Sequence, residues 1–232
     1  MKYGAVIFDL FGTLAPSYSP DAYTAALGEV CLIIGADPAK FVPAWTSPEA
    51  VRRCMCGMPE TLAVHIRDVG LRIGLDVPRS AAGEAESVLI EMTRSMLAPR
   101  ADAIAALEAL KERGLGLALM SDCSNEVPEL WPDTPLAHFF DVPLFSCCVG
   151  MVKPELGFYR LALDHLNVPP DRCLYVGDRC DELIGARETG MLPILICPPE
   201  EESVIMARES ARAWQGPRIA SLTELISYVD QD

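Results

Sequence analysis

This sequence of 232 residues predicts an α/β fold: a doubly wound parallel sheet carrying a smaller all-helical insert. Three observations lead there. Short apolar runs recur along the chain, the first followed by a glycine turn, as buried parallel strands are. Amphipathic helical patterns separate most of these runs, which implies right-handed crossovers and a sheet covered on both faces. One long stretch, 16–98, carries helical periodicity and no strand pattern.

In chain order, the first run is 4–10, Gly-Ala-Val-Ile-Phe-Asp-Leu, followed by Phe-Gly-Thr, where the glycine marks a turn. Further strands are expected at 115–121, 142–148, 173–177 and 192–197. Helices are expected at 101–113, with Ile104, Leu107 and Leu110 on one face and Gly114 as a stop, and at 156–166 and 181–189. Within the insert, 61–71 and 82–96 read as helices, and Pro38, Pro43, Pro48, Pro59 and Pro78 punctuate it. An amphipathic helix at 219–232 closes the chain. The expected domains are a core of 1–15 and 99–232 and a cap of 16–98.

Composition narrows the function. Half of the residues are hydrophobic, enough for a sizeable core, yet no segment reaches the roughly 18 uninterrupted apolar residues of a membrane span. Asp9 interrupts the apolar N-terminal run too early for a signal peptide, so a cytoplasmic setting is expected. There the nine cysteines act as reduced, small hydrophobes, and Cys54-Met55-Cys56 has no companion pair at zinc-ligand spacing. A net charge of −14 argues against nucleic acid or an anionic membrane as partner. A small phosphorylated substrate remains compatible, because one metal ion and one lysine suffice for a local positive site. Nothing in the sequence specifies an oligomeric state.

In a parallel sheet, the carboxyl ends of the strands open on one shared crevice. Here those ends carry Asp9, Ser121, the 150–153 turn with Lys153, and Asp178: two acids, a hydroxyl and a cation from separate strands. Each residue alone has a plainer reading. Asp9 suits a turn, Ser121 and Asp178 suit helix N-caps, Lys153 suits a solvated surface, and Asp181 and Glu182 suit a helix N-terminus. His65, His138 and His165 match no catalytic spacing.

Together, these residues resemble the haloacid dehalogenase superfamily. Phe-Asp-Leu-Phe-Gly-Thr-Leu (8–14), Leu-Met-Ser-Asp (119–122), Val-Lys-Pro-Glu (152–155) and Tyr-Val-Gly-Asp-Arg-Cys-Asp-Glu-Leu-Ile-Gly-Ala (175–186) follow the order of its four motifs, and the helical stretch matches its cap. The resemblance implies that Asp9 is the nucleophile and forms an aspartyl ester. It implies a Mg²⁺ held by Asp9, the backbone carbonyl of Phe11, Asp178 and a further acid, Glu182 or Asp181, with Glu182 favoured on spacing. Ser121 and Lys153 would stabilise the transferring group, and Thr13 would support the first loop. Phe11, Gly12 and Asp122 would line the substrate pocket.

Two features pull in opposite directions. The family's phosphatases carry a second Asp two residues after the nucleophile, as general acid and base, and this chain has Phe11. Its dehalogenases also lack that Asp, because a halide leaves without a proton; they lack the acid matching Asp178 as well, and that acid is present here. Metal-dependent hydrolysis of a small phosphomonoester is therefore the expectation. Dehalogenation is the alternative, and a catalytically degenerate binding module is a third reading.

Overall fold

The structure, a computed structural model, describes residues 2–17 and 19–230. Its six strands are β1 (Ala5–Phe8), β2 (Gly116–Ser121), β3 (Val142–Phe145), β4 (Cys173–Gly177), β5 (Leu192–Ile196) and β6 (Arg218–Ile219). They form one all-parallel sheet in the order β3-β2-β1-β4-β5-β6. β1, the run Ala-Val-Ile-Phe with all four residues buried, sits in the middle.

Side chains alternate across the strands and build a core on each face. Val6, Phe8, Leu117, Leu119 and Val176 pack on one side with Leu107 and Leu110 of α6 (Ala103–Glu112). Ala5, Ile7, Ala118, Met120 and Tyr175 pack on the other, against Phe158 and Tyr159 of α9 (Leu156–Leu166) and Leu183 of α10 (Cys180–Glu188). Four short helices complete the C-terminal half around these: α7 (Glu126–Leu130), α8 (Ser146–Val149), α11 (Glu202–Ala207) and α12 (Glu209–Arg212). A last one, α13 (Leu225–Val229), covers the α6 side.

Five helices fill the segment between β1 and α6: α1 (Pro20–Ile34), α2 (Pro38–Trp45), α3 (Pro48–Met55), α4 (Leu62–Arg72) and α5 (Arg79–Met96). The prolines that look like breaks in the sequence include three helix starts. Ser19, Asp37 and Ser47 each precede a Pro at the first helical position and accept a hydrogen bond from the N–H of Ala22, Ala39 and Ala50. A proline costs nothing there, since that N–H has no helical partner. Four of them, α1, α2, α4 and α5, share a buried cluster of their own, including Leu27, Val30, Phe41, Ile66 and Leu89, and Cys54 of α3 packs against it.

Two expectations need correction. The run 142–148 is a strand only to Phe145; Ser146–Val149 turn into α8. Ser146 Oγ accepts from Cys123 N–H (2.9 Å) and donates to Cys123 O (3.2 Å), which ties this turn to the loop after β2. The C-terminal segment is not one helix. Ile219 belongs to β6, a capping box at Ser221 and Glu224 restarts the chain, and only Leu225–Val229 are α-helical. Gln231 and Asp232, assigned to that helix from sequence, lie outside the described residues, as do Met1 and Tyr18. Among the described residues no helix is long and apolar enough to cross a membrane, and all nine cysteines are free thiols.

Candidate active site

Asp9 is the first residue beyond β1, and its N–H still donates to Val176 O of β4 at 2.9 Å. The chain then folds back at once: the N–H groups of Leu14 and Ala15 both donate to Leu10 O at 2.9 Å. Gly12 makes this turn possible. Its φ is +84°, and a Cβ there would lie 2.6–2.9 Å from the Asp178 carboxylate, so only glycine lets β1's loop and β4's end approach this closely. Thr13, buried, donates from Oγ1 to Asp9 Oδ2 at 3.5 Å. Phe11 packs, half-buried, against the neighbouring core.

Lys153 reaches Asp9 from the loop between α8 and α9. Its backbone N–H is held by both carboxylate oxygens of Asp122 (3.0 and 3.2 Å), while its Nζ bonds Asp9 Oδ1 and pairs with Glu182 Oε2 at 2.8 Å. Burial opposes the lysine's charge, but Asp9, Glu182 and Asp122 outweigh it and hold its pKa well above the usual lysine value. Burial pushes Asp9 up to about 8 against the attraction of Lys153, with Glu182 and Asp178 adding to the rise. Asp122 is raised to about 6, again by burial first.

The two acids of the β4 end differ in their surroundings. Asp178 is buried; its Oδ2 accepts from Arg208 Nη1 at 2.9 Å, and its Oδ1 is sealed from solvent with no hydrogen-bond partner. Both oxygens of Glu182 are engaged, Oε2 by Lys153 and by Tyr175 OH (3.0 Å), and Oε1 by Arg179 Nε (3.3 Å). Asp181 faces away, half exposed and paired with Arg179 Nη2 at 2.8 Å. Of the two acids left open by spacing, the structure thus brings Glu182 into the cluster and leaves Asp181 outside. Ser121, at the end of β2, is buried, and its Oγ meets no partner beyond the weakly bonding Cys123 thiol.

The sequence-based expectations therefore converge in space: Asp9, Thr13, Ser121, Asp122, Lys153, Asp178 and Glu182 meet where the strands end. Sequence reasoning missed the residues that hold them. Tyr159 donates to Glu182 O (2.9 Å), but like Tyr175 it sits in an apolar pattern and reads as core. Arg100 follows the insert and binds the loop after β1 from behind. It donates to Thr13 O (3.0 Å) and Gly12 O (3.3 Å) and pairs with Glu200 and Glu201. Arg100, buried, and Arg208, partly exposed, belong to no short-range spacing, and the sequence carries no signal for either.

Beside this cluster, a cavity of about 360 Å³ separates the helical insert from the loop after β2. Tyr23, Trp45, Leu62, Leu89 and Met92 line it on one side, and Asp122, Cys123, Ser124 and Glu126 on the other. Its Asp122 wall is the carboxylate that holds the Lys153 backbone, so the cavity adjoins the charged cluster.

A family model described as haloacid dehalogenase-like hydrolase matches residues 3–190. A glyceraldehyde 3-phosphate phosphatase of Methanopyrus kandleri is 30% identical over 197 residues, 83% of either chain. A phosphoserine phosphatase of Thermus thermophilus is 36% identical over 124 residues, 51% of this chain; the match spans about half of that relative's length. Among solved structures, a 2-haloacid dehalogenase from Pseudomonas syringae superposes with a TM-score of 0.71 at 20% identity, with 98% of both chains covered.

Proposed function

The chain belongs to the haloacid dehalogenase-like hydrolases, and from that membership we propose that it is a Mg²⁺-dependent phosphatase of small phosphomonoesters with Asp9 as nucleophile. The observation that carries this is Asp178: buried beside the Gly12 turn, with Oδ1 lacking any partner. A lone buried carboxylate oxygen is costly unless something binds it. Asp9, Asp178 and the Phe11 carbonyl would hold the ion through oxygen atoms, the donors a hard cation takes. No cluster of three or more acidic, His or Cys side chains suited to a metal occurs among the described residues, so this set depends on that backbone carbonyl. Glu182, with both oxygens engaged, serves in this reading as the counter-ion that positions Lys153.

The chemistry divides into two displacements. An Asp9 oxygen attacks phosphorus, the ester P–O bond breaks, and its electron pair stays on the leaving oxygen. Water then attacks the phosphorus of the aspartyl phosphate, freeing inorganic phosphate and Asp9. Lys153 offsets the charge that builds between nucleophile and phosphoryl group, and Ser121 Oγ donates to a non-bridging oxygen. When bound, Mg²⁺ supplies Lewis-acid stabilisation of the same oxygens. Residues 16–98 act as the cap over a core of 1–15 and 99–232. Supporting this are the insert's separate apolar cluster, the cavity beneath it, and the bonds from Asn125 to the carbonyls of Pro59 and Glu60.

Hydrolysis of para-nitrophenyl phosphate with Mg²⁺, and with chelator, tests the reading; Asp9→Asn is the control. Mg²⁺-dependent turnover abolished in the variant is the expected result. A second reading, dehalogenation through the same Asp9 ester, is favoured by Phe11, which leaves no proton donor for an alkoxide. It predicts metal-independent halide release from short 2-halo acids, and that outcome in place of phosphate release would sink the phosphatase reading.

A further inference from the structure

The cavity between the insert and the loop after β2 has a chemistry of its own. Its insert side is aromatic and aliphatic, and the charged residues in its wall, Asp122 and Glu126, are both acidic. His65 also lines it, kept neutral by burial and tilted against Trp45 with 4.5 Å between ring centroids. No lysine or arginine lines it, so a phosphate or carboxylate would enter unpaired.

Glu126 makes the space more than an apolar gap. The residue is 6% exposed, and its Oε1 accepts from Ser124 Oγ (2.7 Å) and Thr93 Oγ1 (3.2 Å). Its Oε2 is sealed from water and meets no donor from another residue. An acceptor desolvated in this way costs stability unless a ligand satisfies it. The Trp45 N–H is already used by Tyr23 OH at 2.8 Å.

We propose that this cavity holds the substrate's leaving group, and that the group is an apolar body bearing an amine whose N–H donates to Glu126 Oε2. The assignment rests on the proposed reaction at Asp9. It places the reacting end past Asp122 and the amine at Glu126, four residues further along the same wall, which makes Glu126 a specificity-determining residue. A volume of about 360 Å³ suits a body the size of a substituted aromatic ring.

Binding of the leaving group alone tests this without catalysis. The intrinsic fluorescence of Trp45, in the cavity wall, reports titrations of para-(aminomethyl)benzyl alcohol, para-ethylbenzyl alcohol and para-(hydroxymethyl)phenylacetate. The amine is expected to bind about tenfold more tightly than the hydrocarbon, and the carboxylate not at all. Glu126→Gln and Glu126→Leu should remove the amine's advantage while still binding the hydrocarbon, which also shows that the variants fold. Equal affinity for all three alcohols, or a preference that survives in both variants, overturns the proposal. Because binding and para-nitrophenyl phosphate turnover are separate readouts, loss of one leaves the other reading standing.

Discussion

On the phosphatase reading, Phe11 stands where the family's second Asp would protonate the departing oxygen, and a phenyl ring cannot supply a proton. The consequence falls on the leaving group: an aryl oxide departs unaided, whereas an alkoxide needs a donor worth about 10²–10⁴ in rate. Phe11→Asp should therefore raise kcat/KM for alkyl phosphates by at least about tenfold and leave para-nitrophenyl phosphate nearly unchanged. An equal rise for both substrates would show that Phe11 limits something other than proton transfer. Gly12→Ala acts where the same loop meets Asp178. It adds a Cβ within 2.9 Å of the Asp178 carboxylate at a φ of +84°, and the strain is on the order of 1–3 kcal/mol. Lower urea stability together with weaker Mg²⁺ dependence is the expected pair of effects; a variant with unaltered metal response would separate Asp178 from the metal. Asp9, Asp178 and Lys153 could be read from sequence because strand ends and the loops after them bring side chains together, whereas Glu182, inside α10, was reached through the family resemblance. Tyr159, Arg100, Arg208 and Glu126 could not be read in this way. Their roles depend on partners far away in the chain, such as Thr13 O for Arg100, 87 positions away, and Thr93 for Glu126, 33 positions away.

A short, continuous apolar run set between helical patterns is enough to place a buried strand, and five strands were legible for that reason. The sixth was not: β6 has two residues, Arg218 and Ile219, and so short a segment carries no period. Its pairing to Leu195 and Ile196 is fixed by the sheet edge instead. The run into α8 misled for a related reason, since Ser-Cys-Cys-Val is apolar enough for a strand and only the Ser146–Cys123 bonds turn it away. Between the helical insert and the core the joint is Arg100, 5% exposed in its side chain, which ties the β1 loop to Glu200 and Glu201. Arg100→Met leaves Glu201, itself largely buried, without its guanidinium and strips a donor from Gly12 O and Thr13 O. A loss of about 3 kcal/mol follows from breaking such a pair, read as a lower urea midpoint with the slope unchanged; a loss below about 1 kcal/mol would mean the pair behaves as a surface bridge. In the insert, burial holds His65 of α4 neutral, with its pKa lowered from 6.5 to about 4. The unfolded chain then takes up a proton between those two values that the folded chain refuses, so stability falls as pH drops through that window and is unaffected above it. His65→Gln should remove an acid-side loss on the order of 2 kcal/mol. Parallel pH profiles for variant and parent would show that other groups set the decline.

At the scale of the whole molecule, the reaction centre and the surface oppose each other. The centre concentrates its positive charge in a lysine whose side chain is 1% exposed, while the chain as a whole carries −14. A phosphate dianion approaching from solvent meets the repulsive field first and the attractive site only at contact. Screening weakens the long-range part and spares the short-range part, because the Debye length falls to about 10 Å at 0.1 M salt and the buried contacts lie well inside it. For an anionic substrate, KM should therefore fall as monovalent salt rises from about 20 to about 200 mM, by roughly twofold, with kcat little changed. Mg²⁺ must be saturating throughout, since the same negative field gathers Mg²⁺ at low salt and would mask the effect. A zwitterionic substrate carrying an amine on its leaving group should show a smaller dependence, because its cationic end is attracted by the charge that repels its phosphate. If KM instead rises with salt for the simple dianion, the mouth of the crevice is locally positive despite the net charge, and Arg179 and Arg208, both partly exposed beside Asp178 and Glu182, become the residues to neutralise next.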